Sequence, residues 1–268
     1  MLKTLTRRWF LWLSLWSCLV ACTAPTLKSQ QPEVVNLTVS VAASLQDAMK
    51  AIKPLYTKQT PEVTITYNFA SSGSLQQQIQ QGAPVDVFIS AAPKQMNALE
   101  SKGLLLEGTR QNILKNQMVL VSPKEQTGIS NFQELNSAQI SKIAMGHPVS
   151  VPAGQYAKEV LTTLNLFDQL KPKFVFGKDV RQVLSYVKTG NVDAGLVYAT
   201  DAKLSEKVKL VATAPPDSYS PIIYPVAVLK DSQNSDDAKQ FVQFLMGEEA
   251  KQMFERYGFT IANNLFIF

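Results

Sequence analysis

The chain has 268 residues, 46% hydrophobic and 18% charged, with 14 Pro and 12 Gly. These proportions exclude a disordered, collagenous or disulfide-stapled class and suit one large or two small globular domains with a proper core. Lys and Arg number 26 against 21 Asp and Glu, a net +5, but no Lys/Arg run concentrates that charge, so it gives no electrostatic reason for a nucleic-acid partner.

At the N-terminus Lys3, Arg7 and Arg8 precede an uncharged run from Trp9 to Ala21, followed by Cys22. That run is 13 residues long, whereas a helix needs about 20 to span hydrocarbon. Residues 1–21 therefore read as a secretory signal peptide. The tetrad Leu19-Val20-Ala21-Cys22 resembles the bacterial lipobox, in which the Cys is acylated and becomes the first residue of the mature lipoprotein. Removing the signal leaves 23 basic against 21 acidic residues, a net +2. Cys18 leaves with it and Cys22 carries lipid, so no thiol remains for a disulfide, a nucleophile or a zinc site. Residues 22–33 are polar and Pro-punctuated, which suits a tether between lipid and domain.

From Val34 onward, short β-rich runs alternate with helical periods, the pattern of an α/β protein. Strands are expected at Leu37 to Val41, Val63 to Phe69, Val85 to Ser90, Met118 to Val121, Lys142 to Met145, Lys173 to Phe176, Ala194 to Tyr198, Val208 to Ala212 and Ile222 to Leu229. Several are too continuously apolar for a sheet buried on one side only. Leu45, Ala48, Met49 and Ile52 fall at i, i+3, i+4, i+7, as do Val180, Val183, Leu184 and Val187, so each set should bury one helical stripe. Pro54 is expected to kink the first of these helices or end it early. Ser235 to Arg256 reads as two helices broken near Gly247, with Phe241, Phe244, Leu245 and Phe254 in the core.

Four loop-to-helix junctions share one design: a small or acidic residue, then a helix whose first amides lack partners. They are Ala42-Ala43-Ser44-Leu45, Ala70-Ser71-Ser72-Gly73-Ser74-Leu75, Val151-Pro152-Ala153-Gly154-Gln155-Tyr156 and Lys178-Asp179-Val180-Arg181. Helix N-termini attract anions through free N–H groups and the helix dipole. The first two junctions follow strands directly, at the carboxyl ends where open α/β sheets place ligands. Taken singly, Ser44, Ser72 and Asp179 have the composition of N-caps, and Gly73 and Gly154 could serve backbone conformation. Their coincidence is what suggests a cleft.

Enzymatic constellations are poorly supported. The single histidine, His147, precedes Pro148 as a turn residue would, and no Gly-x-Ser-x-Gly elbow accompanies it. Neither a Walker loop, a Gly-x-Gly-x-x-Gly turn nor a cluster with metal-ligand spacing is present. Asp193, in Gly190-Asn191-Val192-Asp193-Ala194-Gly195, reads as a turn or strand-start group.

Together the segments VSVAASLQDAM (39–49), FASSGSLQQQI (69–79), GAPVDVFISA (82–91), HPVSVPAGQYAKEVL (147–161), KDVRQVL (178–184), GLVYATDA (195–202), YPVAVLK (224–230) and FERYGF (254–259) resemble the periplasmic molybdate-binding proteins of bacterial ABC transporters. The match runs in order through nearly all the mature chain. The resemblance implies an α/β, two-lobed type II periplasmic-binding-protein fold, each lobe a mostly parallel sheet flanked by helices, with the ligand cleft between lobes. It places lobe 1 at 34–117 and 230–268 and lobe 2 at 118–229. Carried over by position, the molybdate or tungstate contacts fall on Ser44 and Ser72 from the first lobe and on Ala153, Val180 and Tyr198 from the second. The serines would donate through hydroxyl and amide, Ala153 and Val180 through backbone N–H, and Tyr198 through its phenol. Molybdenum would be bound as the oxyanion, with no bare metal ion, no cofactor and no catalytic residue. The implied partner is an ABC permease in the cytoplasmic membrane, and the implied location is the periplasmic or cell-surface side, as a lipid-anchored monomer. The family often has an acidic residue after the Gly that precedes the VPAG loop, where this chain has Gly146-His147-Pro148, and the tail Ala262 to Phe268 extends past the usual ending near YGF.

A dianion can be held without a counter-charge if neutral donors are preorganised around it, because hydrogen bonds to an ion are the stronger kind. The implied contact set contains no carboxylate to accept the proton of hydrogenphosphate, so it should favour fully deprotonated oxyanions. Alternatives are a sulfate or other oxyanion binder, an exported serine hydrolase using Ser44 or Ser72, and a structural lipoprotein. A nucleophile-probe adduct would favour the hydrolase, and a lack of any small-molecule stabilisation the last.

Overall fold

The computed structural model describes residues 34–262. The signal peptide, the acylation at Cys22, the tether and the tail beyond Ala262 lie outside the described residues.

The chain first lays down β1 (Val35–Ala42), β2 (Val63–Ala70), β3 (Val87–Ile89) and β4 (Gln111–Lys115). It crosses to a second sheet at β5 (Met118–Pro123) and continues through β6 (Ile143–Gly146), β7 (Phe174–Gly177), β8 (Ala194–Tyr198) and β9 (Val208–Thr213). It returns to the first sheet as β10 (Ile223–Val228) and ends at β11 (Thr260–Ile261). The strand orders are β11-β4-β10-β3-β1-β2 and β7-β6-β8-β5-β9. The two crossings touch, the Asn116 amide donating to the Ile222 carbonyl at 3.3 Å.

Each sheet is mixed, not mostly parallel as the resemblance implied. Parallel trios, β2-β1-β3 and β7-β6-β8, are joined to antiparallel strands on one side. The reason is topological: β5 and β10 each arrive straight from the other sheet, without the crossover helix that parallel neighbours need. The lobe boundary is also corrected. The strand expected over Ile222 to Leu229 forms as β10, Ile223–Val228, but it pairs with β3 and β4, so the second crossing precedes Ile223 and the strand belongs to the first lobe. Pro225 is tolerated in this central strand because it stands at a register shift against β4, where the ladder is already interrupted.

The helices are α1 (Gln46–Gln59), α2 (Ser72–Gln80), α3 (Pro93–Glu100), α4 (Pro152–Thr163), α5 (Phe167–Leu170), α6 (Val180–Lys188), α7 (Ala199–Lys203), α8 (Ser235–Leu245) and α9 (Glu248–Arg256). Both apolar stripes are buried as expected: Ala48, Met49 and Ile52 on α1, and Val180, Val183, Leu184 and Val187 on α6. A fully buried Val or Leu contributes about 1.5 to 3 kcal/mol. The α6 stripe therefore fixes that helix, and its N-terminus, firmly on β8 and β6. Of the two expectations at Pro54, the early end does not occur, since α1 continues to Gln59. Pro54 lies on the exposed face, where water can reach the Lys50 carbonyl that loses its amide partner. Phe241, Leu245 and Phe254 are buried as read, with Phe244 packed partly buried against them. Among the described residues no helix is long and apolar enough to cross a membrane.

Candidate functional site

All five positions singled out by resemblance, Ser44, Ser72, Ala153, Val180 and Tyr198, line one cavity between the two sheets. The topology brings them together, because each follows the carboxyl end of a strand: Ser44 after β1, Ser72 after β2, Ala153 after β6, Val180 after β7, and Tyr198 closing β8. Ala91, beyond β3, completes the first-lobe wall. The cavity is small. Its water-accessible volume is about 10 Å³.

The serines are not the N-caps that their composition suggested. Ser71 caps α2, its Oγ accepting from the Ser74 amide at 3.2 Å, and Ser72 is the first helical residue. The Ser72 Oγ instead accepts from the Ala91 amide at 2.9 Å, fully buried. Ser44 sits in a single 3-10 turn ahead of α1, its Oγ 3.1 Å from the Tyr224 hydroxyl. That phenol also accepts from Asn116 Nδ2 at 3.1 Å, and in its bond with Ser44 either hydroxyl can be the donor. The Ser72 oxygen thus receives a hydrogen bond from the protein, leaving its O–H to donate into the cavity, while the Ser44 hydroxyl is tied to Tyr224 at the same wall.

The second lobe supplies amides. Helix α4 begins at Pro152 with no side-chain cap, and α6 begins at Val180, capped by Asp179 Oδ1, which accepts from the Gln182 amide at 2.8 Å. In a helix start of this kind the N–H groups of Ala153 and Val180 have no intrahelical acceptor. The Tyr198 hydroxyl is buried and makes no hydrogen bond with the protein. Burial holds its phenol well above the usual value, so it is a neutral donor. No Lys, Arg or His lines the cavity, but Asp179 does, so the wall is not free of carboxylate as the implied contact set was.

Behind the cavity, Arg181 joins both lobes. Its Nη1 lies 2.6 Å from Asp47 Oδ2 on α1, and its Nη2 donates to the Ser44 carbonyl at 3.2 Å. Its Nε is 2.9 Å from Asp201 Oδ1 on α7, close in distance but not aligned as a hydrogen bond. Asp201 is completely buried, and burial raises its carboxyl to about 7 against the lowering effect of Arg181. Sequence reading had passed over Asp201, since nothing in Ala199-Thr200-Asp201-Ala202 distinguishes it from a surface carboxylate. Asn116 and Tyr224, which orient Ser44, were equally silent, because their partners lie 84 to 180 residues away.

The lobes also meet at backbone. The Gly73 amide donates to the Ser150 carbonyl at 3.0 Å, and a Cβ on Gly73 would lie 2.4 Å from that oxygen. Gly154 likewise faces the Gly146 carbonyl, 2.0 Å from where its Cβ would stand. Neither glycine has positive φ, so both serve close approach and not the backbone freedom that sequence suggested.

His147 opens the turn after β6, exposed, with its Nδ1 accepting from the Val149 amide at 3.4 Å and its ring against Phe176. It pairs with neither serine, so the nucleophile–base pair required of a hydrolase is not formed. Asp193 Oδ2 accepts from the Ser141 and Lys142 amides at 2.7 and 2.9 Å, a loop-fixing role. Among the described residues no group of three or more His, Cys, Asp or Glu is placed to hold a metal ion.

Two α/β lobes, crossed twice by the chain, with helix N-termini and neutral donors around a small interlobe cavity, define a solute-binding protein for a compact anion. The chain matches the model of the bacterial extracellular solute-binding protein family over residues 37–260, and it belongs to that family. It is 47% identical over 240 residues to YvgL of Bacillus subtilis (strain 168), provisionally named an ABC transporter substrate-binding lipoprotein, covering 89% of this chain and 92% of that one. It is 41% identical over 231 residues to the molybdate-binding protein ModA of Escherichia coli (strain K12), covering 84% and 89%. The solved periplasmic molybdate-binding protein of Azotobacter vinelandii superposes with a TM-score of 0.76 at 27% identity, covering 84% of this chain and 99% of that one.

Proposed function

We propose that this protein is the extracytoplasmic binding component of a molybdate importer, capturing molybdate or tungstate between its lobes and delivering it to a membrane permease. The observation that carries this reading is the convergence of two buried serine hydroxyls, a buried phenol without a protein partner and two helix N-termini on a cavity lined by no Lys, Arg or His. Such a donor set suits a compact dianion, and the small interlobe cavity accords with one. The relatives named for molybdate support the choice of anion. Ser44, Ser72, Ala153, Val180 and Tyr198 are the proposed contacts. Attachment through an acylated Cys22, with the domain on the outer side of the cytoplasmic membrane or in the periplasm, accords with the lipobox and with the relative named a lipoprotein.

Capture follows from the geometry. A ligand touching donors on both lobes favours the closed arrangement by its bridging hydrogen bonds, and closure removes water that would compete for them. The test is titration calorimetry with molybdate, tungstate, sulfate and phosphate. Binding of molybdate and tungstate with weak or no response to the other two supports the reading. Preferential sulfate binding would keep the class and change the cargo, and no heat with any oxyanion would overturn it.

A further inference from the structure

We infer that Arg181 is a positioning residue that latches the two lobes over the ligand, with Asp201 holding the guanidinium ready and Asp47 and the Ser44 carbonyl receiving it. The inference deepens the proposed function and rests on it for the identity of the ligand. Arg181 and Asp201 belong to the second lobe and Asp47 and Ser44 to the first. When the lobes part, Arg181 loses Asp47 and Ser44 but keeps Asp201. Asp201, 2.9 Å from the Nε and in the same lobe, keeps the guanidinium in place in the open state, so less side-chain entropy remains to be lost on closing.

The location argues for more than a surface ion pair. Arg181 directly follows Val180, and its Nη2 donates to the carbonyl of Ser44. One side chain therefore sets the spacing between a first-lobe and a second-lobe ligand junction. It does so without lining the cavity. The latch contacts exist only in the closed form, so their loss should speed release far more than it slows capture.

The experiment uses the full chain with three measurements: release of radiolabelled molybdate into excess unlabelled molybdate, its association rate, and amide exchange of the Phe69–Ile79 peptide without ligand. That peptide contains the Gly73 amide, which is protected by Ser150 only when the lobes meet. Asp47→Asn, at a partly exposed partner that leaves the buried Asp201 pair intact, should raise the release rate about two- to fivefold. Its association rate should stay within about twofold and exchange at the Gly73 peptide should quicken. Arg181→Gln should raise release more than about tenfold. Should that variant fail to fold, Asp47→Asn decides the matter alone. Wild-type release and wild-type exchange in Asp47→Asn, or an affinity loss carried by association alone, would overturn the latch. Failure of the unaltered chain to bind molybdate would instead overturn the ligand reading, and the exchange arm would still decide the latch.

Discussion

Within the cavity, what distinguishes Ser72 from an ordinary helix-start serine is the group that occupies its lone pair. The Ala91 amide donates to Ser72 Oγ, so the hydroxyl proton has one useful direction, toward the ligand. Ser72→Ala removes that donor to an anion, at a cost of roughly 1.5 to 3 kcal/mol, or about 10-fold to 150-fold in the molybdate dissociation constant. Titration calorimetry reads this directly, and an unchanged constant would take Ser72 out of the site. The junction was legible in Ser71-Ser72-Gly73-Ser74, but two adjacent serines look alike in sequence and only the structure separates cap from donor. Asp201 makes a second residue-scale prediction. Burial raises its carboxyl to about 7, with Asp47 and Asp179 adding to the rise and Arg181 opposing it. A carboxyl raised in the folded state binds more protons there than in the unfolded chain, so its contribution to stability falls as pH rises from about 4 to about 7 and is then level. Relative to the wild type, Asp201→Asn should therefore gain stability across that window and not beyond it. Urea unfolding at intervals of pH reads the difference, and a constant difference between the two proteins would contradict the assignment.

Helix α2 shows how an element serves the site through what it lacks. The missing side chain of Gly73 lets α2 come within hydrogen-bonding distance of the Ser150 carbonyl on the other lobe. Gly73→Ala places a methyl where that oxygen stands, holding the lobes apart, while within its own helix Ala is the better residue by about 1 kcal/mol. The expected result is a divergence. The ligand-free unfolding midpoint stays level or rises, and molybdate affinity falls more than about tenfold, since several contacts need both lobes. Wild-type affinity in this variant would mean that closure does not require the Gly73–Ser150 approach. The elements themselves were legible wherever burial imposed a period. The α6 stripe, the α8–α9 break, the alternating β1 and the largely apolar β5, β8 and β10 were all readable. Strands β4 and β11 were not. Gln111–Lys115 is framed by polar residues and Thr260–Ile261 has only two residues, and both exist because neighbouring strands offer them free backbone groups.

For the molecule as a whole, the decisive information was non-local. Burial of Ile223–Val228 on every residue but the first told that it is a central strand, yet not of which sheet, because pairing with β3 and β4 joins residues more than 100 apart in sequence. The same pairing has an energetic consequence. The first lobe is completed only after the chain has built the second, and one continuous apolar cluster runs from Leu37 on β1 through Leu120 and Leu196 in the second sheet to Phe259. Lobes that share a core and two crossings should not unfold separately. Differential scanning calorimetry of the ligand-free protein should accordingly show a single transition, with calorimetric and van't Hoff enthalpies equal. Molybdate should shift that transition without splitting it. At about one hundred times the dissociation constant the gain is about 2.7 kcal/mol, which for a domain of this size is roughly 5 to 10 °C. Two resolved transitions, with the ligand raising only one, would show that the lobes are independent folding units and that the anion is held by one of them. That outcome would sink both the shared core as a cooperative unit and the bridging of the cleft by the ligand.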